Sequence, residues 1–253
     1  MTIITDPLFY LCAIPAVVTL GLSKGGFSGI GMVATPLLAL IMPPLEAAAL
    51  LLPIILLQDI ISVFVYRRVW DPWNLKVLMP GAVIGIGAAW PLAAYVSDGV
   101  VRLVVGLIAL GFVAYAWLRH VLPSEPRKPR AAHGVFWGAL SGFTTTLIQI
   151  GAPPYYAFVL PQRLEKMIYV GTTVMFFAFA NSLKVVPYLA LGQFSTAGFA
   201  TSVALFPLAI AANFLGIWLV RVTPEDLFYR ITNVIVFLIG CELTRQGITE
   251  LTR

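Results

Sequence analysis

The sequence predicts an all-α, polytopic membrane protein built from two related halves. Three observations lead there. Of the 253 residues 60% are hydrophobic and only 11% are charged, with a mean hydropathy of +0.93, whereas soluble domains carry about 25% charged residues. The apolar stretches run well past the roughly 10 residues of an alternating barrel strand, so they read as helices. Two glycine-rich blocks about 120 residues apart nearly repeat each other.

The apolar segments fall, in order, at about 8–20, 29–43, 45–66, 75–96 and 100–119, then 134–147, 150–161, 167–191, 197–220 and 226–244. The first follows Asp6-Pro7 with neither a basic start nor an Ala-x-Ala site, so it reads as a membrane segment rather than a cleavable signal. The later members of each half are long enough for roughly 30 Å of hydrocarbon, which takes about 20 residues. The first two of each half are about 12–15 residues and fit a re-entrant pair better. The stretch His120 to His133, with Pro-Ser-Glu-Pro-Arg-Lys-Pro-Arg inside it, reads as a solvated cytoplasmic linker. The expected organisation is therefore residues 1–119 as a first membrane repeat, 120–133 as linker and 134–253 as a second repeat. Pro53, Pro80, Pro91, Pro187 and Pro207 lie in or beside spanning helices as kinks or packing elements.

The two blocks are Gly21-Leu-Ser-Lys-Gly-Gly-Phe-Ser-Gly-Ile-Gly31 with Pro36 beyond, and Gly138-Ala-Leu-Ser-Gly-Phe-Thr-Thr-Thr-Leu-Ile-Gln-Ile-Gly151 with Pro153-Pro154. The repeat extends past them: Leu45-Glu46 aligns with Leu164-Glu165, and Gln58-Asp59 with Ala180-Asn181. Gly87, Arg102 and Gly111 fall opposite Gly216, Arg230 and Gly240. Charge then chooses the relation between halves. With re-entrant pairs the halves are inverted, and one face receives eleven of the 16 basic residues: Arg67, Arg68, Lys76, Arg119, Arg127, Lys128, Arg130, Arg163, Lys166, Arg221 and Arg230. The other face receives Arg102, Arg245 and Arg253, and the positive-inside rule favours that arrangement over parallel halves. Each half is then a re-entrant helix pair plus three spanning helices.

Paired Gly/Pro-interrupted segments at corresponding points of two halves point to a transporter binding site. A helix stopping in mid-membrane leaves backbone groups that must be satisfied, so such breaks line cavities. The second arm of each pair would aim its free N–H groups, with about half a unit of positive charge, at the glycine tip. Ser23, Lys24, Gly25, Gly26, Ser28 and Gly31 form the first tip; Thr144, Thr145, Thr146, Gln149 and Gly151 form the second, with Asn181 nearby by the repeat. These groups suit an oxyanion. The glycines serve equally as helix-packing residues. Lys24 is either a substrate contact or a snorkelling lysine.

Asp59 and Lys184 are the other charges within long apolar helices, and inversion would bring them together as a buried ion pair. Asp59 is also a candidate proton carrier, unless it reaches the interface beside Arg67 and Arg68. Asn181, Asn213 and Asn233 face the cavity or bond between helices. Glu46 and Glu165 start helices, where acids favour the dipole. Trp70, Trp73 and Tyr66 beside Arg67 and Arg68 read as an interfacial belt.

At the glycine blocks the chain resembles the TauE/SafE sulfite-exporter family of membrane transporters. Gly21, Gly25, Gly26, Gly29, Gly31 and Pro36 carry the resemblance in the first half. In the second half Gly142, Gly151, Pro153, Pro154, Gly171-Thr172, Asn181 and Lys184 do so. Thr144, Thr145, Thr146 and Gln149 depart from it, standing where glycine is common. The resemblance implies secondary transport of small sulfur-containing anions such as sulfite, thiosulfate or an organosulfonate such as sulfoacetate, across a bacterial inner membrane.

An anion channel or a carrier of non-sulfur organic acids is the alternative. An intramembrane enzyme would need a nucleophile with a base or a paired acid site, and the residues offer neither. The net charge of +5 belongs to loops and speaks to topology and anionic lipid, not to nucleic acid. Cys12 and Cys241 are distant packing residues, and with two histidines flanking the linker no metal or cofactor is expected. The expected partners are a small anion and membrane lipid, with the oligomeric state open.

Overall fold

The computed structural model describes residues 4, 6–27, 30–38, 41–42, 44–92, 97–121, 129–190, 192 and 194–252, and among these it is helical without strands. Helix α1 (Pro7–Gly25) begins with Asp6 accepting from the Leu8 N–H at 2.9 Å and Pro7 in the first turn. It ends at Gly26, whose φ of +130° few other residues adopt, and the Gly26 N–H returns to the Ser23 carbonyl at 3.1 Å. The chain resumes as a 3₁₀ turn at Ile30–Val33 and a short α2 (Ala34–Leu38).

There follow α3 (Pro44–Tyr66), α4 (Pro72–Leu92) and α5 (Asp98–Val121). The second half holds α6 (Ala131–Ile148), α7 (Ala152–Val159), α8 (Lys166–Ala190), α9 (Thr196–Ala204), α10 (Phe206–Val222) and α11 (Glu225–Leu251). Helices α5 and α6 each reach into an end of the stretch expected as linker.

The hairpin arms differ from the 12–15 residues expected. Helices α1 and α6 have 19 and 18 residues, while α2 and α7 have only five and eight. Gly21 and Gly25 lie one turn apart on a packed face and leave the helix intact; only the positive φ at Gly26 ends it. The segment expected at 197–220 is two helices bent by 50° at Leu205. Pro207 cannot donate to the turn before it, which explains the break there. Around Pro53, Pro80 and Pro187 the helices are continuous.

Among the described residues four helices are long and apolar enough to cross a membrane, five if α9 and α10 form one span. Between helices α5 and α11, Arg102 bonds to Glu250 and Gln246. The distribution of polarity is that of a membrane protein. Leu11 and Ile60 are 70% and 69% exposed, whereas Gln58, Asp59, Ser62, Lys184 and Asn213 are buried.

Four helix pairings set the architecture. Helix α1 runs parallel to α10, with Gly21 against Ala212 and Gly25 against Gly216. Helix α4 runs parallel to α6, with Gly81 against Val135 and Gly85 against Ala139. The order reverses for α3 and α8: Asp59 meets Asn181, and just beyond the end of α3 the Asp71 N–H donates to Thr172 Oγ1 at 2.8 Å. Helices α5 and α11 are likewise antiparallel, Gly99 facing Glu250 and Gly106 facing Thr244.

Trp70 and Trp73 are partly exposed as a belt would have them, and the Arg67 guanidinium lies 4.2 Å over the Phe64 ring. Tyr66 departs from the belt. It is buried and donates its hydroxyl to the Gly25 carbonyl at 2.7 Å, fixing the end of α1 to the end of α3.

Candidate functional site

The last turn of α1 delivers Lys24 to the middle of α3, where its ammonium lies 2.7 Å from Asp59 Oδ1. The other carboxylate oxygen accepts from Asn181 Nδ2 on α8, also at 2.7 Å. Asp59 is thus held from both halves, and each charge is spared the cost of standing alone in a dry interior. The ion pair expected between Asp59 and Lys184 is replaced by this one. Lys24 is neither snorkelling outward nor unpartnered, and Asp59 does not reach an interface. Behind the pair, Ser62 donates to the Lys24 carbonyl at 2.8 Å and lies 3.1 Å from Asn213 Oδ1. Asn213 Nδ2 donates to the Gln58 carbonyl at 2.9 Å, and Gln58 Nε2 to the Ala209 carbonyl at 3.1 Å. Asn213 therefore bonds between helices α3 and α10.

Lys184, one turn along α8 from Asn181, turns its Nζ toward the end of α6. Its acceptors are Gln149 Oε1 at 2.6 Å, Thr145 Oγ1 at 3.1 Å and the Thr145 carbonyl at 3.4 Å. All three are neutral, and among the described residues Lys184 makes no ion pair. Gln149 closes α6 in the left-handed conformation (φ 58°, ψ 19°), and its amide nitrogen donates to the Tyr188 hydroxyl at 3.1 Å. Ser141 donates to the Gly151 carbonyl at 2.6 Å and ties the second hairpin shut.

Between the two tips lies a cavity of about 80 Å³. A water needs at least about 10–15 Å³ measured the same way, so this space holds several waters or one small solute. Ser23, Lys24 and Gly31 line it from the first tip, and Thr145, Gln149 and Gly151 from the second. Asn181 joins them from α8.

Other expected site residues stand elsewhere. Gly25 packs on the Gly216 backbone, where an added Cβ would come within 2.5 Å, and Gly26 lies against Val220 and Val170. Thr144 and Thr146 turn their hydroxyls back to the Leu140 and Gly142 carbonyls of their own helix, at 2.9 and 2.8 Å. Ser28 lies outside the described residues. Glu46 and Glu165 are exposed at the starts of α3 and α8, away from the cavity.

The helix ends contribute less than a generic N-terminus would. Helix α2 is too short to sum an appreciable dipole. In α7, Pro153 and Pro154 occupy the second and third positions and have no N–H to offer. The cationic groups at the cavity are therefore the lysines, Lys24 on its wall and Lys184 behind Thr145 and Gln149.

Sequence reasoning missed Tyr156, Thr173 and Phe177 on the wall and Tyr188 behind it. Thr173 follows the Gly171-Thr172 pair, which was the available signal. For aromatic residues in apolar helices the sequence offers none.

The family model described as sulfite exporter TauE/SafE matches residues 13–243. Searches of curated proteins and of solved structures gave no significant match. With most of its length matched, the chain belongs to the TauE/SafE sulfite exporter family of membrane transporters.

Proposed function

We propose that this family member carries a small sulfur-containing anion (sulfite, thiosulfate or an organosulfonate such as sulfoacetate) across the bacterial inner membrane by alternating access, with a proton coupled at Asp59. One observation carries the reading: Lys184 is fully buried beside the cavity wall with neutral acceptors only, while Asp59 is already taken by Lys24. With all three ionised, Lys24, Asp59 and Lys184 leave one net positive. Burying an uncompensated cation is strongly unfavourable, and an anion in the cavity would offset that cost. The site therefore comprises Ser23, Lys24, Gly31, Thr145, Gln149, Gly151 and Asn181, with Lys184 behind them. The cavity volume of about 80 Å³ favours a small solute.

The helix pairings support two inverted halves. Repeats related by an axis in the membrane plane set corresponding spanning helices antiparallel, whereas parallel repeats would set them parallel. The pairs α3 with α8 and α5 with α11 are antiparallel. Asp59 and Asn181, opposite each other in the repeat, are in direct contact, as residues beside a two-fold axis would be. The partner exchange α1 with α10 against α6 with α4 agrees. Both glycine tips then meet near that axis, the place where alternating access needs its site.

Thermal stabilisation of the detergent-purified protein tests the substrate class, because a ligand of the folded form raises its melting temperature by mass action. Sulfite, thiosulfate or sulfoacetate are expected to stabilise it, and simple carboxylates are not. Stabilisation by carboxylates alone would overturn the sulfur assignment and leave the carrier. Saturable, proton-dependent flux in proteoliposomes would distinguish the carrier from a channel.

Thr145→Ala is expected to weaken anion stabilisation with the fold intact. Lys24→Ala strands Asp59 in a pair that is partly exposed at Lys24, so its melting temperature should fall, by less than the roughly 3–5 kcal/mol that breaking a fully buried pair costs. The neutral double variant Lys24→Met with Asp59→Asn should recover most of that loss. If it does not, the pair contributes by packing rather than by charge. Asp59→Asn alone should flatten the pH dependence of transport, and an unchanged pH profile would leave Asp59 structural.

A further inference from the structure

Gln149 holds a backbone conformation that glycine adopts freely and other side chains rarely do. Helices commonly end with a glycine at this point. A long side chain kept there against its own preference is held by its contacts. Both ends of the Gln149 amide are held: Oε1 by Lys184 at 2.6 Å, Nε2 by the Tyr188 hydroxyl at 3.1 Å. The side chain is thereby fixed in one position on the cavity wall, beside Thr145 and Gly151. Lys184 is fully buried, and both side chains that accept from its ammonium line the cavity.

We propose that Gln149 sets the upper size of the anion, standing as a tethered plug between Lys184 and the cavity so that only single-centred oxyanions of sulfite size are accepted. The inference rests on the anion-carrier reading above and narrows its substrate class. A single pyramidal oxyanion fits the cavity with room to spare, and the Gln149 side chain forms part of its wall. A sulfonate bearing a second charged group is longer, and we take the Gln149 side to be where that extra length would have to go. Removing that side chain would enlarge the cavity and turn the Lys184 ammonium toward the ligand. The left-handed turn would persist, since glycine suits it better than glutamine does.

The test compares the purified full chain with its Gln149→Gly and Gln149→Glu variants, titrated with sulfite and with sulfoacetate and read by thermal shift. The natural sequence is expected to prefer sulfite by roughly tenfold or more, the scale on which pocket size discriminates. In Gln149→Gly that preference should shrink to within about threefold, alongside some fall in the melting temperature of the empty protein as Lys184 and Tyr188 lose a partner. In Gln149→Glu the new carboxylate pairs with Lys184, and both anions should lose roughly tenfold or more in affinity.

Unchanged selectivity in Gln149→Gly while sulfite still binds would overturn the plug, as would equal binding of both anions by the natural sequence. Absence of binding by the natural sequence would overturn the anion reading itself, a separate result. Gln149→Asn, one methylene shorter and tolerant of the left-handed conformation, carries the same selectivity test if the glycine variant does not fold. It should give an intermediate preference, and an unchanged one would count against the plug.

Discussion

Lys184→Met is expected to reduce anion affinity about thirtyfold while leaving the melting temperature of the empty protein unchanged or raised. Methionine is unbranched and apolar, so it fills the same space without the charge. The buried ammonium is held by Gln149 and Thr145 and by no carboxylate among the described residues. Removing a poorly compensated buried charge is often neutral or stabilising. The anion loses more. Two unit charges about 8 Å apart at an effective dielectric of about 20 attract by about 2 kcal/mol, which is about thirtyfold in affinity. The two readouts therefore move apart, which distinguishes a charge that serves the ligand from one that serves the fold. A melting temperature that falls while sulfite affinity persists would make Lys184 a strut for the α6 hairpin. The cavity's positive character would then rest on Lys24 alone.

The helices and both helix breaks were legible because membrane helices leave long apolar runs and because two similar glycine-rich blocks stand in the sequence. Which charges pair was not legible. The sequence repeat sets Asp59 and Lys184 at similar positions, and that similarity suggested a pair. The partner of Asp59 is decided instead by where α1 ends. The helix runs to Gly25, five residues past the end expected at residue 20, because Gly21 and Gly25 face α10 rather than breaking the backbone. That extension carries Lys24 to Asp59. No local pattern separates a glycine that packs from a glycine that turns; the sign of φ at Gly26 does, and it is a tertiary outcome.

The same limit explains the threonine run at 144–146. Three adjacent hydroxyls looked equivalent in sequence, but helical geometry turns only Thr145 toward Lys184 and the cavity. Its neighbours bond their own backbone. Proline chemistry was legible in principle. Pro153 and Pro154 remove N–H groups from the α7 start, so the lysines supply what the helix end does not.

Gly85→Val is expected to destabilise the protein by about 3 kcal/mol or more, whereas Gly87→Val, two residues along the same helix, should be nearly neutral. A Cβ at Gly85 would overlap the Ala139 carbonyl oxygen and come within 2.8 Å of the Phe143 nitrogen, all backbone of α6. A Cβ at Gly87 meets nothing within 4 Å. The two substitutions share their helix and their change in propensity, so their difference isolates the approach of α4 to α6. Overpacking typically costs about 1–3 kcal/mol, and backbone on both sides leaves no flexible side chain to yield. Small residues allow such close approach where lipid competes equally for apolar surface.

The consequence reaches function, because α6 ends in Thr145 and Gln149. Ala82 of α4 also packs on Gly142, whose own Cβ would lie 2.5 Å from the Ala82 carbonyl oxygen. Prising α4 from α6 should therefore weaken anion binding along with the fold in Gly85→Val. Melting curves of the two variants, with and without sulfite, would show it. Equal melting temperatures for Gly85→Val and Gly87→Val would refute the tight α4–α6 contact, and with it the rigid placement of Thr145 and Gln149 beside the cavity.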